Sequence, residues 1–336
     1  MNCRALIAVT ALFAGLLARP AHADIWNVAE MNAEQIRQLD RQKTVVILKG
    51  GILEQHGPHL PSFTDGYSND WLAQRLAEAV AQRKGWQVLV FPSIPLGHGG
   101  ANGLGGQFVF PGTYAVRRTT LRAVFMDLAT ELGEQGFRWI FVVHGHGDPY
   151  HNLMLDQAGD YFRDTYGGRM VHLRGLSPTS AQIAKLGIAA PEPLTAAEKQ
   201  ENGLIDAHAG LDETSRMLFL NPRLVSEVYR TLPPLATNNP VELLRVGRFA
   251  GWPGYLGSPR LATASYGAQL QQYRAARDNA LALAILDGAL DERDVPRDAR
   301  QMLGIGVVAK SLDDTARHDA EVENRERTWL KQHGIE

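Results

Sequence analysis

Between Glu54 and Asp65 the chain gathers two carboxylates and two imidazoles: Glu54-Gln55-His56-Gly57-Pro58-His59-Leu60-Pro61, with Thr64-Asp65 close behind. Glycine and proline interrupt any regular periodicity, so Glu54, His56, His59 and Asp65 are expected on a loop after a strand, where side chains can converge on one point. Carboxylate and imidazole without thiolate suit zinc, manganese or a similar divalent ion. A polar surface turn would have the same composition, and this segment alone does not separate the two.

A second cluster, His144-Gly145-His146-Gly147-Asp148-Pro149-Tyr150-His151, adds weight to the metal reading. Residues i and i+2 of an extended segment point to one side, so His146 and Asp148 can face one pocket. With Glu54, His56 and Asp65 they make a larger ligand set than one catalytic zinc uses. Two adjacent ions bridged by a carboxylate are the expectation: two divalent ions per subunit, zinc and/or manganese. A third cluster runs from Asp206 to Ser215. There His208 can shuttle a proton near neutral pH, and Glu213 can orient it. Asp212, Glu213 and Thr214 can equally be the opening turn of a helix running toward Leu218.

These clusters need elements to hold them. Thr44 to Leu48 reads as a buried strand delivering the Glu54 loop, Gln87 to Phe91 as a second strand, and Trp139 to Val143 as a third ending at His144. Asn32 can cap a helix carrying Ile36 and Leu39. Trp71, Leu72, Leu76 and Val80 recur at helical spacing, as do Leu121, Phe125, Leu128 and Leu132, and a long helix is expected from about Ala268 to Leu290. Strands separated by helices imply an α/β fold with a mainly parallel sheet flanked by helices on both faces, and such sheets bind ligands at the carboxyl ends of their strands. Ser177 to Gly203, with Pro178, Pro191 and Pro193, reads as a surface excursion able to cover a cleft.

The 336 residues are 45% apolar and 21% charged, with a formal charge of −2. No strongly basic run is present, which argues against nucleic acid or an anionic membrane as partner. Arg4, the uncharged run Ala5 to Leu17 and Ala21-His22-Ala23 read as a signal peptide over residues 1–23, so an exported, periplasmic protein is expected. That run is too short to span a bilayer, and the single cysteine, Cys3, lies within it. A single domain is expected over residues 24–300. Residues 301–336 read as a charged helical extension, packed on a neighbouring subunit.

In order along the chain, the first motif, Phe110-Pro111-Gly112-Thr113, Gly145-His146-Gly147, His208-Ala209-Gly210 with Glu213-Thr214-Ser215, and Gly254-Tyr255-Leu256-Gly257-Ser258-Pro259 with Ala262-Thr263 resemble the creatininase family of amidohydrolases. The resemblance runs from about Lys43 to Leu270. It implies the α/β fold, a binuclear zinc or manganese centre, a small-molecule amide substrate and a homo-oligomer, often a hexamer. It makes Asp65 the bridging ligand, places Glu54 and His146 on one ion and His56 and Asp148 on the other, and gives His208 the proton transfer. The chain departs from the pattern at Asp148, where creatinine-hydrolysing members have glutamate, at Ala207, which replaces an acid, and at Gln107, where many relatives have histidine. These departures, and the glycine-rich stretch from Gly97 to Gly106 read as a remodelled pocket lip, argue against creatinine itself. That stretch fails the spacing of a phosphate-binding loop, and no helix is expected after it.

The implied chemistry is hydrolysis of a cyclic amide C–N bond by a hydroxide bridging two ions. Two rivals use other residues or none. One is a non-catalytic exported metal-binding protein with the same ligands. The other is a hydrolase built on Ser62 or Ser215 with a nearby histidine, although no nucleophile-elbow sequence is present.

Overall fold

Residues Thr44–Lys49 form β2, whose first five side chains are fully buried, because helices cover both faces of the sheet it belongs to. The computed structural model describes residues 25–188 and 204–335. The signal-peptide reading and most of the proline-rich excursion therefore fall outside the described residues.

The sheet has five parallel strands in the order β1-β3-β2-β4-β5, with β1 at Ile25–Asn27, β3 at Gln87–Val90, β4 at Trp139–Val143 and β5 at Arg169–His172. Successive residues alternate between the two faces. Val45, Ile47, Val88, Phe141 and Val143 meet Leu72, Leu76 and Val80 of the Thr64–Ala81 helix and Leu281 and Ile285 of the Ala264–Leu286 helix. Val46, Leu48, Leu89, Ile140 and Val142 meet Leu121, Phe125 and Leu132 of the Arg118–Glu134 helix and Leu155 and Phe162 of the Pro149–Tyr166 helix. Each such side chain, fully buried, contributes about 1.5–3 kcal/mol, so this double core fixes the frame against which the loops are held.

The strand order turns at β2: β3 lies on one side of it and β4 on the other. In an open parallel sheet such a reversal opens a crevice at the carboxyl ends of the strands. The loops leaving β2 and β4 border it. Gly50, at φ +152°, lets the first loop pass where a Cβ would stand 2.2 Å from the Ile94 carbonyl oxygen. Asn69 then ties both loops together, its side-chain amide donating to the carbonyls of Gly50 (2.8 Å) and Gly145 (2.9 Å).

The C-terminal segment folds back on its own chain through the Asp298–Leu303, Gly306–Ser311 and Asp313–Gln332 helices. Asp319 lies 3.2 Å from Nε2 of His98 and accepts the Arg118 amide at 3.1 Å, and His318 stacks on Phe108 at 4.0 Å. The tail is helical as expected, and its own chain holds part of it by ion pairs and stacking. Within the glycine-rich stretch a single helical turn, Ala101–Leu104, forms where none is expected. Among the described residues, no helix is long and apolar enough to cross a membrane.

Candidate metal centre

Glu54, His56, Asp65, His146, His208 and Glu213 meet at the crevice between the β2 and β4 loops, and all but Glu213 are buried residues. Asp65 sits in the first turn of the Thr64–Ala81 helix, where the helix dipole favours its charge. Glu54 follows β2, and His146 follows β4. Their ligand atoms converge: Nδ1 of His146 is 2.9 Å from Oδ2 of Asp65 and 3.3 Å from Oε2 of Glu54. The other ring nitrogen, Nε2, donates to the Gly99 carbonyl at 2.8 Å, an assignment that leaves the Nδ1 lone pair aimed between the two carboxylates. Burial opposes a charge on His146. The carboxylates of Glu54, Asp65 and Asp148 overcome it and lift the imidazole to about 10, while the same contacts lower Asp65 against the opposing effect of burial. A pocket that holds positive charge this strongly suits a cation.

A second group shares Asp65. Nδ1 of His56 donates to the Glu54 carbonyl at 2.9 Å, so its Nε2 carries the lone pair, and that buried atom has no hydrogen-bond partner. It lies 3.4 Å from Oε2 of Glu213. Burial works against charge on His56, and Glu213, Glu54 and Asp65 outweigh it, raising its pKa. Burial likewise works against the Glu213 carboxylate, but His56, Arg216 and His208 hold its pKa down despite repulsion from Asp65. Glu54-Asp65-His146, His56-Asp65-Glu213 and Glu54-His56-His208 are each able to present ligand atoms within 4.8 Å of one another. The donor set and the orphaned Nε2 of His56 both fit divalent ions.

Glu213 reaches this point because Asp206 shapes the turn before it. Asp206 caps the Leu211–Leu220 helix, accepting the amides of Leu211 and Asp212 at 2.9 Å each, and burial together with Asp212 pushes its carboxyl to about 7. Ala209 adopts φ +48°, an uncommon conformation for alanine, and its amide donates to Oε2 of Glu213 at 2.7 Å. His208 stacks near His56, ring centroids 4.4 Å apart. Its Nε2 donates to the Gln55 carbonyl at 2.7 Å, leaving Nδ1 facing Glu54 (3.6 Å) and Glu213 (3.8 Å). A cavity of about 430 Å³ opens over Glu54, His146, His208 and Glu213.

The family profile described as creatinine amidohydrolase matches residues 29–281. The chain belongs to the creatininase family. Creatinine amidohydrolase of Pseudomonas putida is 27% identical over 227 residues, covering 66% of this chain and 82% of its own length. The mycofactocin precursor peptide peptidase of Mycolicibacterium smegmatis is 30% identical over 242 residues, covering 70% and 82%. Creatininases solved in a manganese form and as a zinc–zinc type share the fold at 24% identity, with TM-scores of 0.54 and 0.52, over 78% of this chain and 98% and 97% of theirs. The protein is thus a creatininase-family amidohydrolase, a hydrolase of C–N bonds, with residue groups able to bind metal.

Of the seven expected site residues, six lie together: Glu54, His56, Asp65, His146, His208 and Glu213. Glu213, expected to orient His208 or open a helix, opens the helix and also stands among the metal-capable groups. Asp148 stands outside those groups. Its Oδ1 accepts the His151 amide at 2.7 Å, capping the Pro149–Tyr166 helix, and a bond from Nδ1 of His98 at 3.0 Å. His59 is turned away, with Nε2 3.0 Å from the Thr214 hydroxyl and its pKa lowered by burial to about 4. Gln55, not singled out in the sequence, contacts His208; its only signal was its place between two ligands. Ser215 is buried and accepts the Thr263 amide at 3.1 Å, and among the described residues no serine hydroxyl is bonded to a histidine.

Proposed function

We propose that the protein hydrolyses the C–N bond of a small, cyclic amide at a centre of two divalent ions, zinc or manganese. Asp65 carries the reading, because its carboxylate belongs to both Glu54-Asp65-His146 and His56-Asp65-Glu213. In this assignment Glu213 takes the place the sequence offered to Asp148. The manganese and zinc–zinc forms of solved creatininases support the choice of metals.

Bound there, the two ions would supply an activated water and polarise the amide carbonyl. The chain does the rest. Gly99 and Glu54 lock the tautomers of His146 and His56 through their carbonyls, so no reorganisation is needed at the moment of reaction. Gln55 fixes the His208 ring, and the free Nδ1 takes up a proton and passes it to the departing nitrogen. Glu213 stands 3.8 Å from that Nδ1. No covalent acyl-enzyme is involved.

The proposal includes export to the periplasm, supported by the Arg4, Ala5–Leu17 and Ala21–Ala23 pattern, and a homo-oligomer, supported by the family resemblance. Metal analysis of the full-length protein tests the centre: two equivalents are expected for the wild type, and neither ion nor lactam hydrolysis for Asp65→Ala, with the circular dichroism spectrum retained. An Asp65→Ala protein with full metal content and activity would overturn the shared-ligand assignment.

A further inference from the structure

The cavity over the centre holds a charge that amide hydrolysis does not use. Arg174 lines it, from the Leu173–Gly175 turn that follows β5. The aliphatic stem crosses Gly145, with Cγ 3.0 Å from where a Cβ on that glycine would stand, so the side chain lies against the loop that delivers His146. Around it are the guanidinium groups of Arg216, Arg274 and Arg277 and the carboxylates of Asp278, Asp298 and, bonded to Arg216, Glu213.

Every acid of this group is already engaged. Arg277 holds Asp278 at 2.7 Å, Arg216 lies 3.3 Å from Glu213, and Asp298 accepts the Ser177 hydroxyl. Four guanidiniums thus meet three carboxylates, one of which faces the metal-capable groups. Among the described residues no acid lies within ion-pair distance of Arg174, and burial, with Arg277 beside it, lowers its pKa. A half-buried guanidinium whose nearest acids, Asp278 and Asp298, are bonded to other groups is incompletely neutralised, and planar bidentate pairing with a carboxylate is what such a group accommodates best.

Apart from Asp148, Asn152, Asp298 and Ser311, the rest of the cavity wall is largely hydrocarbon. Leu243 and Leu244 supply part of it, and Met302, Val308 and Leu312 supply another part from beyond the end of the family match at residue 281. Metal-capable groups, one cation and an apolar wall therefore share one space.

We propose that the substrate is an anionic amide, whose carboxylate pairs with Arg174 while its hydrocarbon part rests on Leu243, Met302 and Leu312. Arg174 is on this view the residue that selects charge, and the C-terminal segment is the surface that selects shape. The inference rests on the amide-hydrolase reading above and adds the substrate class to it.

Isothermal titration of metal-loaded, full-length protein with N-benzoylglycine and its uncharged twin N-benzoylglycinamide tests it. The wild type is expected to bind the carboxylate at least about tenfold more tightly, the range of one charge-assisted bidentate contact. Arg174→Gln brings the ratio close to one, and Arg174→Lys keeps part of it. A ratio unchanged in Arg174→Gln, a preference that survives in that variant and disappears only when metal is stripped, or no binding of either probe overturns the proposal. The two readings fail separately: wild-type protein that takes up no metal sinks the hydrolase, whereas a metal-loaded Arg174→Gln protein with the wild-type ratio sinks only the charge selection.

Discussion

A single glycine separates His144 from His146, and the fold gives them opposite environments. His144 turns into the core, its Nε2 donating to the Ile94 carbonyl at 2.9 Å and its ring edge-on to Phe125, and burial lowers its pKa to about 4. His146 meets Glu54 and Asp65 and is lifted to about 10. Both are buried. The difference lies in whether acids wait at the end of the ring, so one histidine-rich stretch supplies both a structural residue and a member of a metal-capable group. Asp148 and Glu213 repeat the contrast among the acids: the first is occupied by a helix amide and His98, the second faces the orphaned nitrogen of His56.

The contrast breaks most easily at the acids. Glu213→Gln is expected to lose one of two ions and to lower turnover about 10²-fold or more, on the scale of an interaction that matters mainly in the transition state. Metal analysis beside steady-state kinetics reads this, and loss of the ion in Asp148→Ala instead would reverse the assignment. Next comes His144→Phe, which leaves the Ile94 carbonyl without its donor. A loss of about 1–3 kcal/mol in a denaturant melt is expected, with both ions retained. Asp148→Ala removes a helix cap, so about 1 kcal/mol of stability should go while metal content holds.

The smallest effect is one of pH. His98 is buried, which opposes its charge, but bonds to Asp148 and Asp319 raise it from 6.5 to about 9. A pKa raised on folding stabilises fully below the ordinary value and ceases to do so as pH rises through the folded one. Protection factors of the amides in the Asp313–Gln332 helix, corrected for the intrinsic pH dependence of exchange, should therefore be highest below pH 6.5 and fall as pH rises through about 9. In His98→Gln that dependence should flatten; an unchanged profile would remove His98 as its cause.

Much of this was legible in the residues. β4 coincides with the expected strand, and β2 extends one residue beyond it, because aliphatic runs buried on both faces have few alternatives. β1 and β5 were not foreseen: each is three or four residues long, at a sheet edge, and carries polar residues such as Asn27, Arg169 and His172. The expected helix near Ala268 begins instead at Ala264, where the Thr263 hydroxyl caps it. Ligand types were legible, and directions less so. The period-two argument that aimed His146 and Asp148 at one pocket applies within a strand, and β4 ends at Val143. Nothing local in the sequence tells that Asp319 will claim His98, since that pairing exists only once the C-terminal helix has docked.

All residues of the metal-capable groups occur by position 213, while Met302, Val308 and Leu312 come late in the chain. On the ribosome, then, the hydrolytic groups and the charge-selecting Arg174 emerge before the segment that shapes the apolar wall. Over longer times the same separation lets the tail be exchanged or redrawn without disturbing the ions, so that new diets can be tried on an old engine.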